Sequence, residues 1–189
     1  MKILIFGGGF SPPTIAHEAI IAACLRLPQF NEVWVMPSGD RIDKTISLTD
    51  RERLSVLEAM RLGSFGGDPR LKVSDFELRL PRPSQTSTTF IELAKTFPAA
   101  EFWLALGRDS YIGMPGWPSG QTLQNKLNMV VFCSGAGPEI DAANVTIVDL
   151  GDTYADVSSS EIRRRLKSGE NIDGLVSQSV KRHLMGALQ

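Results

Sequence analysis

The sequence predicts an α/β fold, a doubly wound, Rossmann-like parallel sheet with a small helical lobe at its C-terminal end. Three observations support this fold class. Short apolar runs are typical of strands buried on both faces, and four occur, at residues 3–6, 33–36, 102–106 and 129–132. Segments with helical spacing of apolar residues separate these runs, as in alternating β and α units. The first run ends in three glycines and leads directly into a predicted helix.

The remaining elements carry their own local signals. Residues 16–27 are apolar along one face and predict a helix after the first strand. Thr49 and Glu52 form the capping-box pattern Thr-x-x-Glu, so a second helix is expected to begin there. Residues 89–97 predict a third helix. Two weaker strand candidates are residues 71–73 and 145–148.

Length and composition favour one α/β domain at residues 1–156, followed by a C-terminal helical lobe at residues 157–189. The formal net charge of −1 gives no general attraction to nucleic acid or to an anionic membrane, so neither is expected as a partner. No apolar run approaches the ~18 residues of a membrane span, and the first run is too short for a signal peptide. Cys24 and Cys133 lie in apolar contexts typical of reduced core cysteines. A cytoplasmic protein is expected.

The glycine-rich segment at residues 7–17 reads Gly-Gly-Gly-Phe-Ser-Pro-Pro-Thr-Ile-Ala-His. A strand that ends in glycines and opens a helix binds phosphate through backbone N–H groups and the helix dipole. A dinucleotide fingerprint, G-x-G-x-x-G, needs a third glycine where Pro12 stands, and Pro12 and Pro13 have no N–H to donate. The Walker string G-x-x-x-x-G-K-[ST] does not occur. The sequence therefore argues against a dehydrogenase and against a P-loop enzyme.

Residues 8–17 resemble the phosphate-binding motif of the nucleotidyltransferase superfamily, Gly-x-Phe-[Asp/Asn]-Pro-x-[His/Thr]-x-Gly-His. A second signature of that superfamily, Ile-Ser-Ser-Thr-x-Ile-Arg, resembles residues 157–163. The two occur at the expected ends of the chain, so the pair is more specific than either alone. Residues 73–86 and 107–117 are similar to the middle segments of nicotinate mononucleotide adenylyltransferases. The chain thus resembles that family from residue 2 to about residue 184.

The resemblance implies an enzyme that transfers AMP from ATP to nicotinate mononucleotide, forming deamido-NAD and pyrophosphate. ATP and a pyridine mononucleotide are then the ligands, and a homo-oligomer stays open. The phosphate oxygen of the mononucleotide attacks the α-phosphorus of ATP, so catalysis rests on alignment and charge stabilisation. Mg²⁺ is implied as cofactor, bound mainly through the substrate phosphates because it needs few protein ligands. No metal ligand from the protein is expected.

Three residues are implied as catalytic. His17, at the start of the first helix, would donate to an α- or β-phosphate oxygen. Arg163 would hold the leaving pyrophosphate with its fork of donors. Thr14 stands where bacterial relatives usually have histidine and can donate one hydrogen bond. The alternative for His17 is a histidine on the helix surface, and that for Arg163 is a solvated arginine on an ordinary helix. Ser158 and Glu161 are expected to form a capping box at the start of that second helix.

Binding residues are implied in both motifs and in the loops between them. The residues implied to bind ATP are Gly8, Gly9, Phe10, His17, Lys44, Gly107, Asp109, Ser159, Ser160 and Arg163. The last three lie in the C-terminal lobe, which is implied to complete the ATP site. Trp117 is implied to stack on the pyridine ring, with a tryptophan at the rim of the core as the alternative. Thr86 is implied to hydrogen-bond the nicotinate end, with a plain helix cap as the alternative. For Lys44 the alternative is a solvated side chain.

Thr14 and Ala16 depart from the usual family pattern, which has a glycine where Ala16 stands. A threonine at the first position also resembles pantetheine-phosphate adenylyltransferases. Three alternatives therefore stay open: nicotinamide mononucleotide as acceptor, phosphopantetheine as acceptor, and a non-catalytic nucleotide-binding relative. Trp117 favours a flat ring as the acceptor, which argues against pantetheine.

Overall fold

A six-stranded parallel sheet forms the centre of the computed structural model, which describes residues 1–39, 46–135, 137–151 and 157–186. The strands are β1 (Lys2–Gly8), β2 (Glu32–Pro37), β3 (Leu71–Val73), β4 (Glu101–Gly107), β5 (Met129–Cys133) and β6 (Val145–Asp149). Their order across the sheet is β3-β2-β1-β4-β5-β6, and every neighbouring pair is parallel. The four expected strands and both weaker candidates are present, so the predicted fold class is confirmed.

The α-helices of the described residues are α1 (Ile15–Leu25), α2 (Asp50–Phe65), α3 (Thr86–Thr96), α4 (Arg108–Gly113), α5 (Gly120–Lys126), α6 (Ser159–Ser168) and α7 (Gln178–Gly186). Short 3₁₀ helices occur at Glu77–Arg79 and Met114–Gly116. Helix α3 begins three residues before the predicted start. Its first turn, Thr86 to Thr88, is polar, and apolar spacing gives no signal for such a turn.

Apolar and polar residues do not alternate along these strands, because the sheet is covered on both faces. Successive side chains of a strand point to opposite faces. Leu4 and Phe6 of β1 pack in a core cluster with residues of α1 and α2. Ile3 and Ile5 pack on the other face with Leu93 of α3. This double coverage leaves the edge at the carboxyl ends of the strands for a ligand.

The C-terminal segment packs into the same core as the sheet. Ile162 of α6 and Val180 and Leu184 of α7 belong to the cluster that contains Leu4 and Leu57. Helix α7 lies against α2. The predicted division at residues 156 and 157 stays a prediction, since residues 152–156 lie outside the described part of the chain.

Helix α2 has the capping box that the sequence predicts. The Thr49 hydroxyl accepts from the Glu52 N–H at 3.3 Å, and the Glu52 carboxylate accepts from the Thr49 N–H at 2.7 Å. At the start of α6, only one half of the expected capping box is present. The Ser158 hydroxyl accepts from the Glu161 N–H at 3.2 Å, but the Glu161 carboxylate is bound by arginines of its own helix instead.

Both cysteines are buried free thiols, as their apolar contexts predict. Burial raises the pKa of the Cys24 thiol far above its ordinary range. Among the helices in the described ranges, none is long and apolar enough to cross a membrane.

Candidate active site

A cleft of about 600 Å³ opens at the carboxyl ends of β1, β2 and β4. Gly8 and Gly107, the last residues of β1 and β4, contribute to its wall, together with Gly9 and Ser38, which directly follow β1 and β2. The remaining walls come chiefly from His17 of α1, residues 83–86, Thr89 and Phe90 of α3, and Trp117. This is the edge at which open parallel sheets bind ligands. The cleft therefore brings together residues from three separate predicted segments.

His17 lies half-buried on the first turn of α1, with its ring held from two sides. The backbone N–H of Thr14 donates to Nδ1 of His17 at 3.0 Å. Because a backbone N–H only donates, Nδ1 is an acceptor, and the proton of the neutral ring lies on Nε2. The ring also contacts Phe10 and Phe6, with centroid separations of 5.1 and 5.9 Å. His17 therefore enters the cleft with a fixed ring and a defined donor.

Thr14 is completely buried and does not line the cleft. Its hydroxyl oxygen accepts from the His17 N–H at 3.3 Å, which caps α1. Its hydroxyl proton is directed at Nδ1 of His17, 2.8 Å away, since that nitrogen carries no proton. This placement differs from the expected contact with substrate, because the single donor of the side chain is engaged by His17.

Phe10 lies behind the glycine segment rather than in the cleft wall. Its side chain is 1% exposed, and its ring packs edge-on against Phe6 at a centroid separation of 5.5 Å. The backbone at Phe10 has φ of 44°, which is uncommon for a residue with a side chain. A Cβ at Gly8 would lie 3.1 Å from the Phe10 ring, so Gly8 gives the ring room. Because the Phe10 side chain is buried, the expected ATP contact concerns its backbone and stays a prediction.

The two sequence motifs dock onto each other. The Ser159 hydroxyl donates to the Pro12 carbonyl at 2.8 Å. Arg163 donates through Nη1 to the Ser11 carbonyl at 2.9 Å and through Nη2 to the Ser160 hydroxyl at 2.9 Å. The start of α6 is thus fixed directly beside the glycine segment, although 147 positions separate Ser159 from Pro12.

Arg163 differs from the two arginines that follow it. Arg164 and Arg165 both donate to the Glu161 carboxylate, and Arg164 also binds Glu170. These hydrogen bonds lower the pKa of Glu161 to about 2. Arg163 instead faces the first motif. Arg163 is therefore not part of a uniformly solvated basic run. The pyrophosphate contacts of Ser159, Ser160 and Arg163 stay predictions, because none of these residues lines the cleft.

The chain matches the cytidylyltransferase-like family model over residues 5–165. The chain belongs to this family. It is 31% identical over 186 residues to a probable nicotinate-nucleotide adenylyltransferase of Thermus thermophilus, with 96% of this chain and 95% of that protein covered. It is 30% identical over 194 residues to one of Albidiferax ferrireducens, with 97% and 94% covered. The membership of the nicotinate mononucleotide adenylyltransferases inferred from the motifs is thereby confirmed.

Solved structures of the family share the fold. A nicotinic acid mononucleotide adenylyltransferase of Plasmodium falciparum, complexed with NaAD, superposes with a TM-score of 0.84. The alignment covers 98% of this chain and 95% of that one at 19% identity. A second structure of the Plasmodium falciparum enzyme, complexed with APC, gives a TM-score of 0.81 at 19% identity, with 99% and 96% covered. At this identity the agreement concerns the architecture of the sheet and its helices.

Trp117 of this family member lies at the rim of the core and in the cleft wall, and its stacking on a pyridine ring stays a prediction. The side chain is half-buried, lines the cleft and packs against the core cluster that contains Leu104 and Met114. Its backbone N–H donates to the Met114 carbonyl at 2.9 Å. Just beyond, a Cβ at Gly120 would collide with the same carbonyl, so only glycine allows this turn. The backbone that carries the indole is therefore held by a tight turn beside the cleft.

Thr86 is the first residue of α3 and lines the cleft. The alternative that Thr86 caps this helix is wrong, because the cap position is Gln85. Gln85 makes no side-chain hydrogen bond to the first turn of α3. The N–H groups of an uncapped first turn and the positive end of the helix dipole favour an anion. This end of the cleft is therefore suited to a carboxylate.

Of the three other residues predicted to bind ATP, only Gly107 is placed in the cleft wall by the described part of the structure. Gly107 lines the cleft at the end of β4. Asp109 lies exposed on the first turn of α4 and is not part of the cleft wall, so its contact with nucleotide stays a prediction. Lys44 lies outside the described residues. Within the described ranges, no group of three or more His, Cys, Asp or Glu side chains is placed to hold a metal ion.

The sequence reasoning missed two charged residues at the cleft. Glu77 lines it and accepts from the Gly39 N–H at 3.1 Å. Arg53 lies behind it and is almost completely buried. A signal for Arg53 was present, since Arg53 shares the helical spacing of the buried residues Val56, Leu57 and Met60. An arginine on an apolar stripe indicates a guanidinium with buried partners.

Proposed function

We propose that this protein transfers AMP from ATP to nicotinate mononucleotide, yielding deamido-NAD and pyrophosphate in NAD biosynthesis. The proposal rests on one observation: the same cleft is lined by His17, by the glycine segment and, on another wall, by Trp117. A phosphate cradle and a flat aromatic wall suit a ligand with a phosphate and a planar ring. The relatives named probable nicotinate-nucleotide adenylyltransferases, matched over nearly their whole length, support the same reaction.

In the proposed reaction, a phosphate oxygen of the mononucleotide attacks the α-phosphorus of ATP. A new O–P bond forms, and the bond from the α-phosphorus to the oxygen that bridges to the β-phosphate breaks, so pyrophosphate leaves with that oxygen. Negative charge grows on the phosphate oxygens during this step. His17 contributes the Nε2–H donor that its hydrogen bond with Thr14 defines. The glycine segment contributes backbone N–H groups.

The proposal favours the acid over the amide as acceptor. Thr86 and Gln85, at the uncapped start of α3, line the cleft together with Trp117. A carboxylate near a helix N-terminus gains about 0.3–1 kcal/mol when exposed and up to about 2 kcal/mol when partly buried. A neutral carboxamide gains no such charge interaction. Nicotinate mononucleotide is therefore proposed to bind more tightly than nicotinamide mononucleotide.

Mg²⁺ enters the proposal as an ion carried by the triphosphate of ATP. The described residues offer no cluster of ligands that would hold it without substrate. A cytoplasmic location is proposed on the two buried free thiols, which are typical of a reducing compartment. Assembly into a homo-oligomer stays a prediction, and the proposed reaction involves neither nucleic acid nor a membrane.

Pyrophosphate release from ATP and Mg²⁺ tests the proposal, with nicotinate mononucleotide, nicotinamide mononucleotide and phosphopantetheine as separate acceptors. We expect the highest kcat/KM with nicotinate mononucleotide. Turnover with phosphopantetheine alone would contradict the proposed acceptor. Tight ATP binding without turnover of any acceptor would instead identify a non-catalytic relative.

A further inference from the structure

Arg53 ties together the ends of β1 and β2, two neighbouring strands on the phosphate side of the cleft. Its side chain is only 1% exposed, and a buried guanidinium is costly unless its donors are engaged. Nη1 donates to the Ser38 carbonyl at 2.6 Å and to the Gly9 carbonyl at 3.3 Å. Gly9 follows β1 and Ser38 follows β2. Arg53 therefore reinforces the position that pairing of β1 with β2 gives to the glycine segment.

Asp50 extends this connection to another wall of the cleft. One carboxylate oxygen accepts from Nη2 of Arg53 at 2.6 Å, and the other accepts from Nη2 of Arg82. Burial acts against ionisation of Asp50, but the hydrogen bonds from Arg53 and Arg82 hold the pKa of its carboxyl below the ordinary value. Arg82 directly precedes residues 83–86, which line the cleft and lead into α3. A continuous polar chain thus runs from the glycine segment to the segment expected to meet the nicotinate end.

A second link joins the loop after β2 to the segment that follows Arg82. One oxygen of Glu77 accepts from the Gly39 N–H at 3.1 Å and from the Ser84 hydroxyl at 3.0 Å. A Cβ at Gly39 would collide with the Ser84 hydroxyl, so these loops already lie in close contact. The loop after β2 is thus connected to residues 82–84 in two ways, through Glu77 and through Arg53 and Asp50.

We propose that Asp50 is a positioning residue which, through Arg53 and Arg82, couples ATP binding at the glycine segment to mononucleotide binding at residues 83–86. This inference rests on the proposed function. Phosphates held by the glycine segment fix Arg53, and Arg53 fixes Asp50 and then Arg82. The second substrate then meets a loop that is already ordered. Such coupling between two ligands is reciprocal, so each substrate tightens the binding of the other.

Two surface variants separate this coupling from general damage to the fold. Arg82→Gln breaks the contact with Asp50, and the Arg82 side chain is 35% exposed. Arg79→Gln is the matched control, because Arg79 also pairs with a carboxylate, that of Asp75, but lies 75% exposed and does not line the cleft. Arg82→Lys keeps the positive charge and a donor and serves as the rescue variant. Melting temperatures of all three variants are measured to check folding.

The coupling is measured by calorimetry as the affinity for nicotinate mononucleotide with and without saturating α,β-methylene-ATP. For the wild-type protein we expect the ATP analogue to tighten mononucleotide binding about 5- to 150-fold, the usual range of coupling. The factor should fall towards 1 in Arg82→Gln, remain at the wild-type value in Arg79→Gln, and recover in part in Arg82→Lys. In turnover, Arg82→Gln should raise the KM for the mononucleotide at saturating ATP and leave kcat nearly unchanged.

Asp50→Asn gives a second test at the centre of the chain of contacts. The amide keeps the size of Asp50 but loses the charge that both arginines require, so coupling should be lost there as well. Equal coupling in the wild-type protein and in Arg82→Gln would overturn the inference while leaving the proposed function intact. A wild-type protein that turns over nicotinate mononucleotide without any coupling would overturn it too. A wild-type protein that neither binds nor turns over this acceptor would overturn the proposed function and the inference together.

Discussion

The backbone N–H and the hydroxyl of Thr14 both donate to Nδ1 of His17, at 3.0 and 2.8 Å. Histidine thus occupies the position that glutamate or glutamine usually holds in a capping box. The cap that starts α1 and the contact that orients the imidazole are therefore one structural unit. A change in Thr14 affects the helix start and the ring of His17 together.

Replacing His17 by alanine should lower kcat by about 10²- to 10³-fold, the usual cost of removing one donor to developing charge. The reciprocal half of the α1 cap is lost as well, so a modest decrease in stability is expected. Steady-state kinetics with ATP and nicotinate mononucleotide measure the effect. The other histidine in the sequence, His183 of α7, provides the control, and His183→Ala should retain wild-type turnover. Equal turnover of both variants would remove His17 from the mechanism.

Replacing Thr14 by valine should destabilise the protein by about 0.5–2 kcal/mol, because the hydroxyl that caps α1 is lost. The backbone N–H of residue 14 still donates to His17, so turnover should fall much less than in His17→Ala. Urea unfolding and kinetics together test this, with Thr14→Ser as the variant that keeps the hydroxyl. If Thr14→Val loses as much activity as His17→Ala, the backbone N–H of residue 14 does not suffice to orient the ring of His17.

Replacing Trp117 by alanine should raise the KM for the mononucleotide roughly 2- to 10-fold from stacking alone, since such ring contacts contribute about 0.5–1.5 kcal/mol. The KM for ATP should change little. Trp117→Phe keeps an aromatic face and should recover part of the affinity. Because Trp117 also packs on the core cluster around Leu104, thermal melts accompany the kinetics. An unchanged KM for the mononucleotide in Trp117→Ala would eliminate the stacking role.

The Glu161 ion pairs should make part of the stability depend on acidic pH. The pKa of Glu161 is lowered from 4.5 to about 2, chiefly by the hydrogen bond from Arg164 and then by that from Arg165. A carboxylate with a lowered pKa in the folded state stabilises the fold fully above pH 4.5, and this contribution disappears as the pH falls towards 2. Glu161→Gln should therefore be less stable than wild type near neutral pH, and the difference should shrink across this window.

Denaturant unfolding at a series of pH values measures that difference. The exposed Glu139, in the loop before β6, is the control, and Glu139→Gln should follow the wild-type curve. A constant difference between wild type and Glu161→Gln from neutral pH down to pH 2 would show that the Glu161 ion pairs do not stabilise α6.

The sequence predicted those parts of the fold and site that depend on local spacing. Strands buried on both faces produce continuous apolar runs, and the capping pattern of Thr49 and Glu52 marked the true start of α2. The two motifs predicted that His17 and Arg163 belong to one region, and the contact of Arg163 with the Ser11 carbonyl agrees with that. These signals lie within a few neighbouring residues, which is why one sequence reveals them.

The remaining features depend on partners that are distant along the chain. Arg53 contacts Gly9 across 44 positions, and Glu77 contacts Gly39 across 38. No local pattern states that these groups meet. The same reason explains the burial of Thr14, because its position follows from the packing around α1 rather than from the motif letters. A motif identifies which residue types are present, whereas tertiary packing decides which of them reaches the ligand.

The contact between the two motifs also has a consequence for protein synthesis. Pro12 and Ser11 emerge from the ribosome early, but their partners Ser159 and Arg163 follow 147 and 152 positions later. At about 5–20 residues per second, the glycine segment waits on the order of ten seconds for them. Until then the nascent chain presents a phosphate cradle without its second half. The contact between the two motifs therefore forms only after most of the chain has been translated.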